Sequence, residues 1–321
     1  MKVLYNRKLD LDLAKWGIEI PLLVSRAYRC QEFLINKYGK ESVTHLEAES
    51  LSEEDLLRCH DKNFVERLLR SDTDNEIISA YELKDSAGNF HRYNPQNAKY
   101  SLSKLMKLNL AEAWLTYKAM SFSLTSKMIY FLGGGMHHAM SFGGRGFCVI
   151  NDIVIGIRKL QAENLIKSAW VIDLDAHKGD GTAELTKNDE TITTLSIHMA
   201  KGWPLDQLED GPWHTASSID IPILENEQYK YIEKLSFGLK QLKDEFERPD
   251  IAIVVAGSDP YEKDILPSTA LLKLNKSEML ERDMKVYTML SDLNISQTWL
   301  MSGGYGPNVW EVYTQFIEKI I

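Results

Sequence analysis

Cysteine is scarce in this chain: only Cys30, Cys59 and Cys148 occur among 321 residues, widely spaced and without a CxxC pair. That excludes a disulfide framework and a cysteine-ligated zinc ribbon, and it agrees with a reducing compartment. Long apolar runs are missing as well, and the stretch MKVLYNRKLDLDL has no apolar segment of signal-peptide length behind its basic residues. The expectation is a cytoplasmic protein with no membrane partner, in which the glycosylation triplets at Asn275 and Asn294 carry no meaning. Clustered basic residues are also lacking. Against 46 Asp and Glu stand 37 Lys and Arg, a net charge of -9, so no direct nucleic-acid partner is expected, because phosphate binding needs grouped positive charge. Repeats, low-complexity tracts and Gly/Ser linkers are absent, and residues 1–321 are read as a single domain.

What is present is an ordinary globular composition, 44% hydrophobic and 26% charged, in a chain long enough for a large buried core. Apolar spacing predicts helices over 11–38 and 52–69, the second opening with a Ser-Glu-Glu-Asp start that suits an N-cap and the helix dipole. Turn residues make 72–100 a long excursion. The texture then changes. Short apolar, partly β-branched runs at 128–132, 169–174, 191–197, 251–256 and 298–301 read as strands buried on both faces. Amphipathic helices at 152–162, 228–245, 277–293 and 309–320 lie between or after them. That alternation defines an α/β protein with a central parallel sheet and helices on both faces.

Ligands of open parallel sheets bind beyond the carboxyl ends of the strands. Four of the predicted strands run out into chemically unusual strings there: Gly-Gly-Gly-Met-His-His, Asp-Leu-Asp-Ala-His, Gly-Ser-Asp-Pro and Ser-Gly-Gly-Tyr-Gly. Asp175 and His177, two residues apart as the chain leaves its strand, can both reach a cation above the sheet edge, and Asp259 supplies a third ligand. Two carboxylates and an imidazole repel themselves without a divalent ion. Three protein ligands leave a position for water and substrate, the pattern of a catalytic zinc. Gly133 to Gly135 are not followed by Gly-Lys-Ser/Thr and lack dinucleotide spacing, so they read as backbone passing close to a ligand or metal. Of His137 and His138, one would accept a proton from water while the other stabilises developing charge. Each imidazole needs an acid on its other nitrogen, and Asp173 and Asp180 are the spare acids nearby. Tyr305, on a glycine-rich loop, can donate a hydrogen bond to an acyl oxygen.

Five ordered strings between about His60 and Tyr305 resemble the histone deacetylase family: Gly134 to Ala139, Gly146 to Asp152, Asp173 to Thr182, Gly257 to Tyr261 with Asp264 beyond, and Ser302 to Tyr305. The resemblance implies the arginase/deacetylase fold, with a mostly parallel sheet of about eight strands. It implies a single Zn2+ on Asp175, His177 and Asp259, and His138 paired with Asp180 as general base and then acid. His137, paired with Asp173, would act electrostatically, and Tyr305 would polarise the acyl carbonyl. It further implies a structural K+ on Asp173, Asp175, His177, Ser196 and Ile197, and a narrow substrate tunnel formed by Gly146, Phe147, Trp203 and Leu266. The implied reaction is deacetylation of acetyl-lysine in a peptide, with acetylated polyamines or other small amides as alternative substrates. A binuclear manganese ureohydrolase is a rival, but Gly179 and Gly257 stand where it would need carboxylates. A non-catalytic acyl-lysine binding module is another. The sequence departs from the family's pattern in two places: residues after His198 lack a Pro-Gly-Thr-Gly string, and 9–16 lacks the usual histidines and Pro-x-x-Arg.

Overall fold

The computed structural model describes residues 2–22, 25–206 and 210–321. Eight strands form one sheet: β1 (Lys2–Tyr5), β2 (Val43–His45), β3 (Met128–Phe131), β4 (Ala169–Asp173), β5 (Ile192–Met199), β6 (Ile219–Ile223), β7 (Ile251–Val255) and β8 (Ser296–Leu300). Their order is β2-β1-β3-β8-β7-β4-β5-β6, and every pairing is parallel. The helices are α1 (Ser25–Tyr38), α2 (Glu53–Leu57), α3 (Lys62–Glu66), α4 (Thr73–Ala80), α5 (Ser103–Ser126), α6 (Asp152–Ala162), α7 (Asp180–Thr186), α8 (Tyr231–Glu245), α9 (Lys276–Asp292) and α10 (Trp310–Ile320). None of the described helices is long and apolar enough to cross a membrane.

Successive residues of a strand face opposite ways, and the core divides accordingly. Tyr130, Trp170, Val254 and Trp299 enter one core with residues of α1, α8, α9 and α10. Ile129, Phe131, Val171 and Ile253 enter another with residues of α5 and α6. A third core gathers residues from 13–18, 51–83, 102–113 and 136–155, including Tyr81 and Val149, and supports the loops around the site.

Several expected elements differ in the structure. The helix expected at 11–38 begins only at Ser25. A 3-10 turn, Leu13–Trp16, precedes it and ends on Gly17 at φ 73, a left-handed conformation that suits glycine. Residues 23 and 24 of that stretch lie outside the described residues. The helix expected at 52–69 breaks at 58–61, where His60 Nδ1 contacts Met140 O at 2.8 Å and Asp61 N donates to Ser141 O at 2.7 Å. Tertiary hydrogen bonds there outweigh helix continuity. Ser52 does cap α2, in a reciprocal capping box with Asp55. The excursion at 72–100 includes α4. Strands β1, β2 and β6 and the 24-residue α5 have no counterpart among the expected elements.

Candidate active site

Strands β3, β8, β7 and β4 are adjacent in that order, so the four unusual strings leave the sheet side by side. After β4, Leu174 and Ala176 enter the core, and Asp173, Asp175 and His177 alternate with them. One ligand atom each from Asp175, His177 and Asp259 lies within 4.8 Å of the other two, and all three residues are buried. His177 Nδ1 is 3.3 Å from both Asp175 Oδ1 and Asp259 Oδ2. Its other nitrogen, Nε2, is 3.1 Å from Ser268 Oγ, which orients the ring. Asp175 Oδ2 accepts from Gly303 N at 3.2 Å and Ser302 Oγ at 3.3 Å, and Asp259 Oδ1 accepts from Ala176 N at 3.0 Å. Asp259 Oδ2 has no hydrogen-bond partner among the described residues. A buried carboxylate oxygen pointing at an imidazole nitrogen and a second carboxylate fits a divalent cation, which would satisfy all three. Burial and the charge of Asp175 push Asp259 up to about 7. His177, despite burial, is raised to about 10 by its contacts with Asp175 and Asp259.

Glycine keeps the centre open. A Cβ on Gly303 or Gly257 would come within 2.4 Å of Asp175 Oδ2. Behind the two loops, Arg282 of α9 is wholly buried and donates Nη1 to Leu174 O at 3.0 Å and to Gly257 O at 2.8 Å. One guanidinium thus ties together the chains that carry Asp175 and Asp259, with Asp283 as its counter-charge at 2.8 Å.

The paired histidines adjoin this cluster, His138 with its ring centre 5.9 Å from that of His177. His137 Nδ1 is 2.6 Å from Asp173 Oδ2, and His138 Nδ1 is 2.6 Å from Asp180 Oδ1, with the two rings 3.9 Å apart. His137 Nε2 is 3.7 Å from Asp175 Oδ1, which joins this tier to the ligand cluster. Burial opposes a charge on either ring, but Asp173 and Asp175 raise His137 to about 9. His138 falls well below the ordinary value, through burial and then through the neighbouring charges on His137 and His177.

The loop carrying both rings is anchored by residues to which the sequence assigned no role. Asp152 accepts from Gly135 N at 3.0 Å and Met136 N at 2.7 Å, while Asn151 Nδ2 donates to Ala139 O at 3.2 Å. His60 Nε2 accepts from Asn151 N at 3.1 Å.

A cavity of about 90 Å³ is lined by His137, His138, Gly146, Phe147, Asp175, His177 and Tyr305 among others. Phe147 adopts φ 66, unusual for a side-chain-bearing residue, and its ring packs on Tyr81 and edge-on to Tyr305. Tyr305 N donates to Asp264 Oδ2 at 2.6 Å, and burial, with Asp259 and Asp175 nearby, raises its phenol well above 10. Trp203 is not among the lining residues. Its ring instead covers His138 at 4.5 Å and His177 at 5.6 Å. Leu266 is likewise outside the lining, buried with its N donating to Asp264 Oδ1 at 2.8 Å. Arg26 and Glu112, which the sequence did not single out, also line it, with Leu11 and Leu22. Of the residues implied for a monovalent cation, Asp173 and Ser196 are direct β4–β5 partners, and Ser196 Oγ is 2.9 Å from His198 Nδ1. Ile197 is a core residue of β5.

An eight-stranded parallel sheet with paired imidazoles and a carboxylate–imidazole cluster at its carboxyl edge defines the class. The histone deacetylase domain model matches residues 21–320, and the chain belongs to that family. Histone deacetylase 2 of Arabidopsis thaliana is 26% identical over 326 residues, covering 100% of this chain and 78% of that protein. The acetoin utilization protein AcuC of Staphylococcus aureus is 27% identical, covering 81% of this chain and 66% of its own. An uncharacterized protein of Picosynechococcus sp. is 28% identical over 180 residues, 56% of each chain. Of these relatives, the matches thus span between about half and four-fifths of their length. The crystal structure of the HDA15 HD domain aligns with a TM-score of 0.67 at 15% identity, covering 100% of this chain and 90% of that one, a likeness of fold.

Proposed function

We propose that the chain is a single-domain, zinc-dependent amide hydrolase that removes acyl groups from acetyl-lysine side chains. The observation that carries this reading is the meeting of Asp175, His177 and Asp259 next to the His137–Asp173 and His138–Asp180 pairs, with Asp175, His177, His137 and His138 lining one cavity with Tyr305. Asp175, His177 and Asp259 would hold the zinc, and Asp173, Asp175, His177, Ser196 and Ile197 a structural potassium. A bound zinc would supply Lewis acidity, polarising the acyl carbonyl and lowering the pKa of water to about 7.

The protein's own groups do the remainder. Asp180 holds His138 through Nδ1, which leaves Nε2 free to take a proton from the attacking water and to return it to the departing amine. His137, held by Asp173, places positive potential beside the reacting atoms. The Tyr305 phenol donates to the acyl oxygen as it gains charge. Gly146 and Phe147 would flank the methylenes of the lysine, Trp203 packs edge-on against His138 and His177, and Leu266 is buried against Asp264. A second catalytic metal is disfavoured by space as well as by chemistry: a Cβ at Gly179 would lie 2.2 Å from Asp173 Oδ2, and one at Gly257 2.4 Å from Asp175 Oδ2.

The test combines elemental analysis with a deacylase screen over acetyl-lysine peptides and acetylated polyamines, with and without chelator. One zinc per chain and chelator-sensitive release of acetate are expected from the wild type, and Asp259→Ala should retain far less than one equivalent of metal. Full metal in that variant, or turnover indifferent to chelator, would sink the reading. Preference for polyamines would move the substrate while leaving the chemistry in place.

A further inference from the structure

Asp180 is fully buried, and its contact with His138 uses one oxygen: Oδ1 is 2.6 Å from His138 Nδ1 and accepts from Gly181 N at 3.0 Å. Oδ2 has no hydrogen-bond partner among the described residues. A guanidinium faces it, with Arg145 Nη1 at 3.3 Å. The same guanidinium lies 5.0 Å from the Trp203 ring centre and 5.1 Å from that of Trp213. Both distances are within cation–π range, and Arg145's side chain is only 18% exposed. The backbone of Arg145 is fixed too: its N donates to Cys148 O at 3.0 Å, and Cys148 N donates back to Arg145 O at 2.8 Å. That turn carries Gly146 and Phe147 of the cavity wall, yet Arg145 is not among the residues lining the cavity.

A carboxylate held by one oxygen can rotate about its Cβ–Cγ bond, and a buried carboxylate without a counter-charge is costly. Arg145 answers both needs. We propose that Arg145 is a positioning residue for the proton-transfer pair, fixing the Asp180 carboxylate so that Oδ1 stays on His138 Nδ1, while Trp203 and Trp213 hold the guanidinium in place. The inference rests on the reading of His138 as the base. It assigns Trp213 a part in the site although its ring is remote from the metal ligands in sequence and absent from the cavity lining. A planar, stacking cation is required for such a role, so lysine should replace it only partly.

The experiment uses R145M, R145K and W213L in the full zinc-loaded chain, and R145M again in a D180N background. The first readout needs no substrate: the low-field proton resonance of His138 Nδ1–H in histidine-labelled protein. It should be present in wild type, lost or moved in R145M, and partly kept in R145K. The second is turnover of an acetyl-lysine peptide. R145M should lower kcat about 10- to 100-fold, as loss of a partner behind a reacting group does, with KM nearly unchanged. In the D180N background the same substitution should add little, because both changes act on one contact. An unchanged resonance in R145M, an effect confined to KM, or full additivity with D180N would overturn the proposal. If R145M does not fold, R145K and W213L carry the same two readouts, and wild-type behaviour in both would count against it. A wild type inert toward every acyl amine would defeat the proposed function, while the resonance would still decide the role of Arg145.

Discussion

Tyr305 and Ser268 show two ways in which a single side chain matters here. Tyr305 lines the cavity, so Tyr305→Phe would remove the proposed donor to the acyl oxygen while leaving the ring packing on Phe147 intact. We expect kcat to fall by about 10²–10³, equivalent to roughly 2.7–4 kcal/mol, with metal content unchanged. Single-turnover rates on zinc-loaded protein would measure it, and a full wild-type rate would remove Tyr305 from the chemistry. Ser268 Oγ lies 3.1 Å from Nε2 of His177, the nitrogen turned away from Asp175 and Asp259. Ser268→Ala should weaken metal affinity by about 10- to 100-fold in a chelator competition, by freeing the ring to rotate. The two residues also differ in how visible they are in the sequence. Tyr305, Asp175 and His177 stand out because polar, chemically able side chains follow apolar runs. Ser268, Asn151, Asp152 and Arg282 have no such local mark. Their roles come from what the fold brings against them across 91 positions for Ser268 and His177, and 108 for Arg282 and Leu174.

Among the elements, legibility follows burial symmetry. β3, β4 and β7 are buried at every position and are apolar for most of their length, so their runs stand out. β8 is as buried but reads Ser-Gln-Thr-Trp-Leu. Its polar side chains are satisfied inside, Thr298 by Ser123 at 2.9 Å and Gln297 by Ser291 at 2.9 Å, and the predicted strand starts two residues late. β6 is an edge strand carrying Asp220 and Pro222, a pattern that suppresses a strand signal. α5 is packed by α6 on one side and by β3 and β8 on another, so apolar residues occur around its circumference and blur the 3.6-residue period. The start of α2 was legible because capping chemistry is local: Ser52 Oγ accepts from Asp55 N at 3.2 Å and Asp55 Oδ2 accepts from Ser52 N at 3.1 Å. Ser52→Ala should cost about 1 kcal/mol in a denaturant titration, with activity per folded molecule unchanged.

At the scale of the molecule, the proposed metal-ligand cluster would be a stability element as well as a reactive one. Asp175, His177 and Asp259 lie just beyond the ends of two strands, β4 and β7, and are buried together, so a cation binding only the folded form would shift the unfolding equilibrium. Removing the metal with a chelator should lower the melting temperature, and restoring it at about 1,000 times its dissociation constant should return roughly 4 kcal/mol. A thermal scan insensitive to chelator would show that the cluster is held by the fold alone.

The position of β8 adds a constraint of timing. It is the last of the eight strands along the chain, yet it lies between β3 and β7. Until it inserts, β2-β1-β3 and β7-β4-β5-β6 are two unjoined ribbons, one presenting the twin histidines and the other the acids. In a chain growing from its N-terminus, β7 is complete at Val255 and β8 begins only at Ser296, so the edges of β3 and β7 that β8 joins are both made before the strand that closes them.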